Sequence, residues 1–247
     1  MRVVSLCPSL TETVFRLGRG ALLVGRTKFC VEPHGAVEAV ERVGGTKNPK
    51  LARIVALRPD LVLMNEEENR REDAEALRAS QVPVLSTFAQ DVPGAIDSVL
   101  AIGRAIGAEA AAQSLVAELR QRAAEVAARA AQRPPVRFAY LIWRKPWMAA
   151  ARETYIDGLL TLAGGANVLA PGGTRYPEVD AATLRQAQLL LLSSEPFPFT
   201  ERHQEELCAE LGLPRQRTRL VDGQLLSWHG ARTLEGLAYA EQLLEQA

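Results

Sequence analysis

Cys30 and His34 stand four residues apart. On a helix that spacing sets both side chains on one face, where a thiolate and an imidazole would share a soft or borderline metal such as zinc or iron. Glu66, Glu195, His203 and His229 are the further candidate donors. The opposing reading is a capped loop cysteine beside a surface histidine. The three cysteines, Cys7, Cys30 and Cys208, are widely spaced and form no CxxC. They therefore describe no disulfide scaffold and fit a reducing compartment. The run Glu66-Glu67-Glu68 reads as a solvated loop rather than a metal cage.

A second group of residues suggests a different chemistry. Arg26, Lys28, Arg144, Lys145, Arg175 and Arg232 fall in the same stretches as the candidates above. Guanidinium groups grip carboxylate or phosphate with two parallel bonds. They favour a carboxylate-bearing metal chelate or a phosphate-bearing ligand over a bare cation, against the alternative of scattered surface charge. All three tryptophans, Trp143, Trp147 and Trp228, sit in these stretches too. An indole wants its body buried and its N–H paired, so the three suit a planar, partly apolar ligand. The alternative is that each fills a core of its own.

The elements that position these residues alternate in type. Val3–Leu6, Leu22–Gly25, Leu61–Met64 and Val82–Ser86 read as strands, with helices over Thr11–Leu17, Leu51–Leu57, Arg70–Ala79 and Val92–Ile106. Pro8-Ser9 is expected to end the first strand, with Ser9 or Thr11 capping the helix. Residues 107–132 hold no proline and no glycine after Gly107, and are rich in strong helix formers. They predict a rod of roughly 37 Å, broken by Pro134-Pro135. The alternation then restarts, with strands over Arg137–Ile142, Leu189–Leu192 and Thr218–Val221. Helices are expected over Tyr155–Ala163, Ala181–Gln186, His203–Leu211 and Arg232–Glu245. Leu51–Met64 and Ala181–Leu192 match as helix-then-strand units. The fold expected is α/β: two similar Rossmann-like lobes with parallel sheets (1–106 and 133–247), joined by one long α-helix (107–132) that allows only small rocking. A ligand cleft is expected between the lobes, at the carboxyl ends of the strands.

Composition excludes several classes. The formal net charge is zero with no basic block, which removes the electrostatic case for nucleic acid. No apolar run approaches the roughly 20 residues that span a bilayer. Met1-Arg2 leads straight into Val3–Leu6 with no secretory pattern, so a cytoplasmic chain is expected, and a periplasmic one only if the gene starts upstream. No nucleophile elbow, phosphate loop or dinucleotide fingerprint occurs, and the trio Ser194, His203 and Asp222 is one that chance supplies. A non-enzymatic, monomeric ligand binder is the expectation. The alternatives are a metal-binding cytoplasmic protein, a metal-dependent enzyme using Cys30, His34 and His229, or a regulatory partner that senses a ligand.

Specific stretches carry a family resemblance. Arg2–Glu12, then Val43-Gly44-Gly45, Leu51–Leu57 and Arg58-Pro59-Asp60-Leu61-Val62 resemble the helical-backbone solute-binding proteins of ABC importers, which include the cobalamin- and siderophore-binding periplasmic proteins. The resemblance implies aromatic contacts to a corrin from Phe29, Trp147 and Tyr176, whereas Thr46 and Asn65 stand where two tryptophans would be. It places a permease-docking glutamate on each lobe, where this chain has Ala52 and Ala182. With no charge at either position, ordinary import duty is not expected. The ligand implied is a corrinoid or an iron chelate of siderophore type. His229 would then have the chemistry of an axial donor to a corrinoid or haem-like metal. The candidate contact set is Arg26, Lys28, Phe29, Glu66, Trp143, Arg144, Trp147, Tyr176, Glu195, Trp228, His229 and Arg232, with Cys30 and His34 as the candidate metal pair.

Overall fold

The computed structural model describes residues 1–169 and 172–246. The chain divides into two compact units, and the division crosses the chain several times. The first unit holds Met1–Ala89, Pro93–Leu119 and His229–Arg232; the second holds Gln90–Val92, Arg120–Trp228 and the chain from Thr233 onward.

In the first unit a parallel sheet is built from β1 (Val3–Ser5), β2 (Leu23–Arg26), β3 (Leu61–Asn65) and β4 (Val84–Thr87), in the order β2-β1-β3-β4. The central strands are buried on both faces, which is why they read as unbroken apolar runs rather than alternating ones. Helices α1 (Pro8–Arg16), α2 (Leu51–Ala56), α3 (Arg71–Ala79) and α4 (Val92–Ala105) alternate with them. Val4, Leu6, Val43, Ile54, Val62, Met64 and Leu77 form the core cluster. Helix α1 begins at Pro8, three residues earlier than the sequence suggested. Proline suits a first helical turn because its missing N–H would have no partner there. Thr11 is consequently inside the helix, where its hydroxyl donates to the Cys7 carbonyl instead of capping.

The expected rod is α5 (Glu109–Ala130), 22 residues long. It closes against α4 through Gly103, where an added Cβ would stand 2.2 Å from the Ala112 methyl. Its first half buries Leu115, Val116 and Leu119 in the first unit, and its second half buries Ala123, Val126 and Ala130 in the second.

The second unit has a sheet of β5 (Val136–Trp143), β6 (Met148–Ala150), β7 (Gly165–Asn167), β8 (Leu189–Ser193) and β9 (Thr218–Val221). The order is β6-β5-β8-β9. β7 runs parallel to the first half of β5, and β6 runs antiparallel to its second half. Around it lie α6 (Tyr155–Leu162), α7 (Ala181–Arg185), α8 (Glu201–Leu211), α9 (Gly223–Ser227) and α10 (Thr233–Glu245). Glu241 of α10 accepts from Arg122 at 3.1 Å and from Arg129 at 2.5 and 3.0 Å, tying α10 to α5. Among the described residues no helix is long and apolar enough to cross a membrane.

The matching helix–strand units are real. Ile54 of α2 and Leu184 of α7 are each fully buried, seven and five residues before the buried strands β3 and β8. Ala52 and Ala182 occupy exposed positions on the same two helices. Leu184→Ala should cost about 2–5 kcal/mol through the lost transfer energy and the cavity left behind, while Ala182→Ser should cost next to nothing. Urea unfolding followed by circular dichroism measures both. A Leu184→Ala cost below about 1 kcal/mol would show that α7 is not anchored in the core.

Candidate functional site

The loops that follow the strands of the first unit are held by side chains that the sequence reading assigned to a ligand or left unassigned. Arg26, at the end of β2, is 2 % exposed. Its Nε donates to the Val37 carbonyl at 2.8 Å and its Nη1 to the Cys30 carbonyl at 2.8 Å. This guanidinium is a core strut that closes the loop over residues 27–37, not a group offered to a ligand. Cys30 is fully buried, and its Sγ lies 3.1 Å from the Thr11 hydroxyl and 3.2 Å from that of Thr27. Burial pushes its thiol pKa up, with the hydrogen bonds from Thr11 and Thr27 opposing. His34 is on the outside, with its side chain 78 % exposed and paired to Glu32 and Glu38. The stretch between Cys30 and His34 is not helical, because Pro33 disfavours the helical conformation in the residue before it. The shared face expected from their spacing does not form. Among the described residues, no group of three or more His, Cys, Asp or Glu side chains is arranged to hold a metal.

Phe29 is 49 % exposed, with the Lys28 ammonium 4.8 Å from its ring centroid. Glu66 is exposed, and its N–H donates to the Thr87 carbonyl. Asn65, at the end of β3, is the organiser of this loop. Its Oδ1 accepts from the N–H groups of Glu67 and Glu68, so its Nδ2 faces the Thr87 carbonyl at 3.1 Å and His229 Nε2 at 3.0 Å. An amide nitrogen can only donate, so His229 Nε2 accepts, which leaves the hydrogen on Nδ1. The Nε2 lone pair, the one an axial metal donor would use, is taken up by the Asn65 amide. Burial pushes the His229 pKa down to about 4.

The segment carrying His229 is fastened to the first unit at each step. Gly230 has φ of 91°, and an added Cβ would stand 2.6 Å from Thr13 Oγ1. The Ala231 N–H donates to that same hydroxyl at 3.2 Å. Arg232 closes a two-bond fork on Glu12 at 2.7 and 2.9 Å.

In the second unit the strand-end loops carry an aromatic group. Trp143, the last residue of β5, is 43 % exposed and packs its edge on Phe197 at 5.4 Å. Phe197 contacts Phe199 and His203. Trp147 stacks on Phe199 at 6.0 Å and donates Nε1 to the Glu210 carboxylate at 3.0 Å. Arg144 lies 5.7 Å from the Trp147 ring and pairs with Glu206 at 2.5 Å. Trp228 is buried, and its Nε1 donates to Glu195 Oε1 at 2.7 Å, an oxygen that the Ser227 hydroxyl also reaches at 3.0 Å. Tyr176 is half-buried and its N–H donates to Thr174. The structure thus joins Glu195 to Trp228 and Arg144 to Trp147, pairings that residue types alone did not suggest. Phe197, Phe199 and Glu206 were missed; the Pro-Phe-Pro-Phe stretch directly after a strand was the available signal.

The buried, neutral His229 makes stability depend on pH. Its folded pKa lies below the ordinary 6.5, so the unfolded chain takes up a proton first. The stabilisation is complete above pH 6.5 and is lost as pH falls toward 4, by about 2–3 kcal/mol. Urea unfolding at pH 7 and pH 4.5 should show that extra loss in the natural chain and not in His229→Gln. Equal losses in the two proteins would contradict the assignment.

Comparison with known proteins places this geometry in a family. The family described as periplasmic binding protein matches residues 3–192. The vitamin B12-binding protein of Vibrio cholerae serotype O1 (strain ATCC 39541) is 25 % identical over 194 residues, covering 78 % of this chain and 70 % of that one. That of Pectobacterium atrosepticum is 27 % identical over 200 residues, covering 77 % and 71 %. Among solved structures, the periplasmic heme-binding protein RhuT from Roseiflexus sp. RS-1 superposes with a TM-score of 0.85 at 22 % identity, covering 99 % of this chain and 97 % of that one. The periplasmic vitamin B12-binding protein BtuF of Vibrio cholerae superposes at 0.83 and 23 % identity, covering 99 % and 96 %. The chain belongs to the periplasmic binding protein family.

Proposed function

We propose that this chain is a non-catalytic solute-binding protein whose cargo is a flat metal macrocycle or metal chelate, of the corrinoid or iron-chelate class, held by the strand-end loops. The observation that carries the reading is the exposure of large aromatic side chains at strand ends. Trp143 closes β5 with nearly half its surface open, and Phe29 follows β2 with the same exposure. An indole in water loses the transfer energy that burial would return, and a planar ligand laid against it recovers that energy with ring stacking in addition. The relatives named for vitamin B12 and heme agree with a macrocyclic cargo. Phe29, Trp143, Trp147, Tyr176, Glu195, Trp228 and His229 are the proposed contact or supporting residues. The exposed methyl groups of Ala52 and Ala182 offer no charge to an arginine-bearing permease, so the reading includes no ion-paired docking at those two positions.

Titration with cyanocobalamin, haemin and a ferric siderophore, followed by tryptophan fluorescence, tests this. Saturable quenching by at least one is expected. Trp143→Ala should weaken that binding about tenfold without lowering the melting temperature, because the ring is half outside. No saturable quenching by any of the three would end the proposal.

A further inference from the structure

A guanidinium recognises a ligand carboxylate with its fork, so the fork must be open to the ligand. In these loops Arg232 and Arg144 are already ion-paired from within. Arg232 holds Glu12 with two bonds, and the pair is largely shielded, with side chains 15 % and 21 % exposed. Arg144 Nη1 pairs with Glu206 Oε2 at 2.5 Å, with side chains 18 % and 32 % exposed, while its Nε is buried without a hydrogen-bond partner. Arg26 is buried and gives its Nε and Nη1 to backbone carbonyls. An incoming carboxylate would have to displace an internal one at Arg232 or Arg144 and leave that carboxylate poorly solvated. Glu195 acts in the same direction. Trp228 and Ser227 fix its carboxylate at the end of β8, where it repels a second negative charge.

We propose that Glu12 and Glu206 are specificity-determining residues: by neutralising Arg232 and Arg144 they make the strand-end loops accept a macrocycle whose peripheral acid groups are masked as amides and discriminate against the polycarboxylate form. This rests on the macrocycle-binding reading above. Neither glutamate needs to touch the cargo; each acts through the arginine it holds.

The test compares two corrinoids that share metal, ring and axial ligands. Dicyanocobinamide carries its peripheral acid groups as amides, and dicyanocobyrinic acid carries them as carboxylates. The natural chain should bind the amide form at least about tenfold more tightly. Glu12→Gln and Glu206→Gln should each improve binding of the acid form about fivefold relative to the amide form, and Glu12→Asp, which keeps the charge, should not. Equal or tighter binding of the acid form by the natural chain overturns the inference, as does an unchanged ratio in both glutamine variants. Tight binding of haemin with none of the cobinamide also overturns it, while the macrocycle reading survives. If no macrocycle binds at all, both fall together.

Discussion

A polar side chain at the end of a buried parallel strand must find partners inside the protein, because none comes from water. Both units meet that constraint at the same place in the repeated helix–strand pattern. β3 ends in Asn65 and β8 ends in Ser193, and both are buried. Asn65 accepts from two N–H groups of the loop that follows and donates to the end of β4. Ser193 accepts from the Tyr140 hydroxyl at 2.8 Å and donates to the Glu195 carbonyl at 2.6 Å. Each strand therefore ends by folding the first turn of its own loop around one side chain. A leucine in either place would extend the apolar run and leave those backbone groups without partners.

Hydrogen bonds that already order a loop leave less entropy to be lost on binding. Several acidic side chains around these loops are also held from within. Glu195, Glu206 and Glu12 each meet a fixed donor or cation close by. Large aromatic side chains stay open toward solvent at the strand ends, at Trp143 and Phe29, beside the exposed Lys28, Glu66 and Lys145. The His229–Arg232 segment shows the same economy. Four residues from late in the chain are secured to the first unit by a buried imidazole, a positive-φ glycine, one backbone N–H and one ion pair.

Much of the fold was legible because its signals are local. The leucine run of β8, the apolar run of β3 and the helix formers of α5 state their own structure. β6 and β7 were not legible. Met148-Ala149-Ala150 and Gly165-Ala166-Asn167 contain no β-branched or aromatic residue, and pairing with β5 makes them strands. The candidate site was legible in residue type and not in partnership. Arg26 had the look of a ligand arginine, but its partners are the carbonyls of residues 30 and 37, which no residue type reveals. The Cys30–His34 spacing implied a shared helical face, and Pro33 between them denied the helix. Glu195 and Trp228 were each picked for the site, yet the bond between them spans 33 positions of sequence and appears only in three dimensions.

Asn65 stands where the resemblance to the cobalamin binders implies a tryptophan. An indole offers one donor and no acceptor. In this loop it would leave the N–H groups of Glu67 and Glu68 without the oxygen they use, and His229 Nε2 without its donor. Asparagine at 65, histidine at 229 and the turn at 66–68 therefore stand or fall as a set. Asparagine supplies a polar anchor at the end of β3 and no stacking surface. In the first unit Phe29 still provides an exposed ring at a strand end, and in the second unit Trp143 and Phe197 provide the aromatic surface.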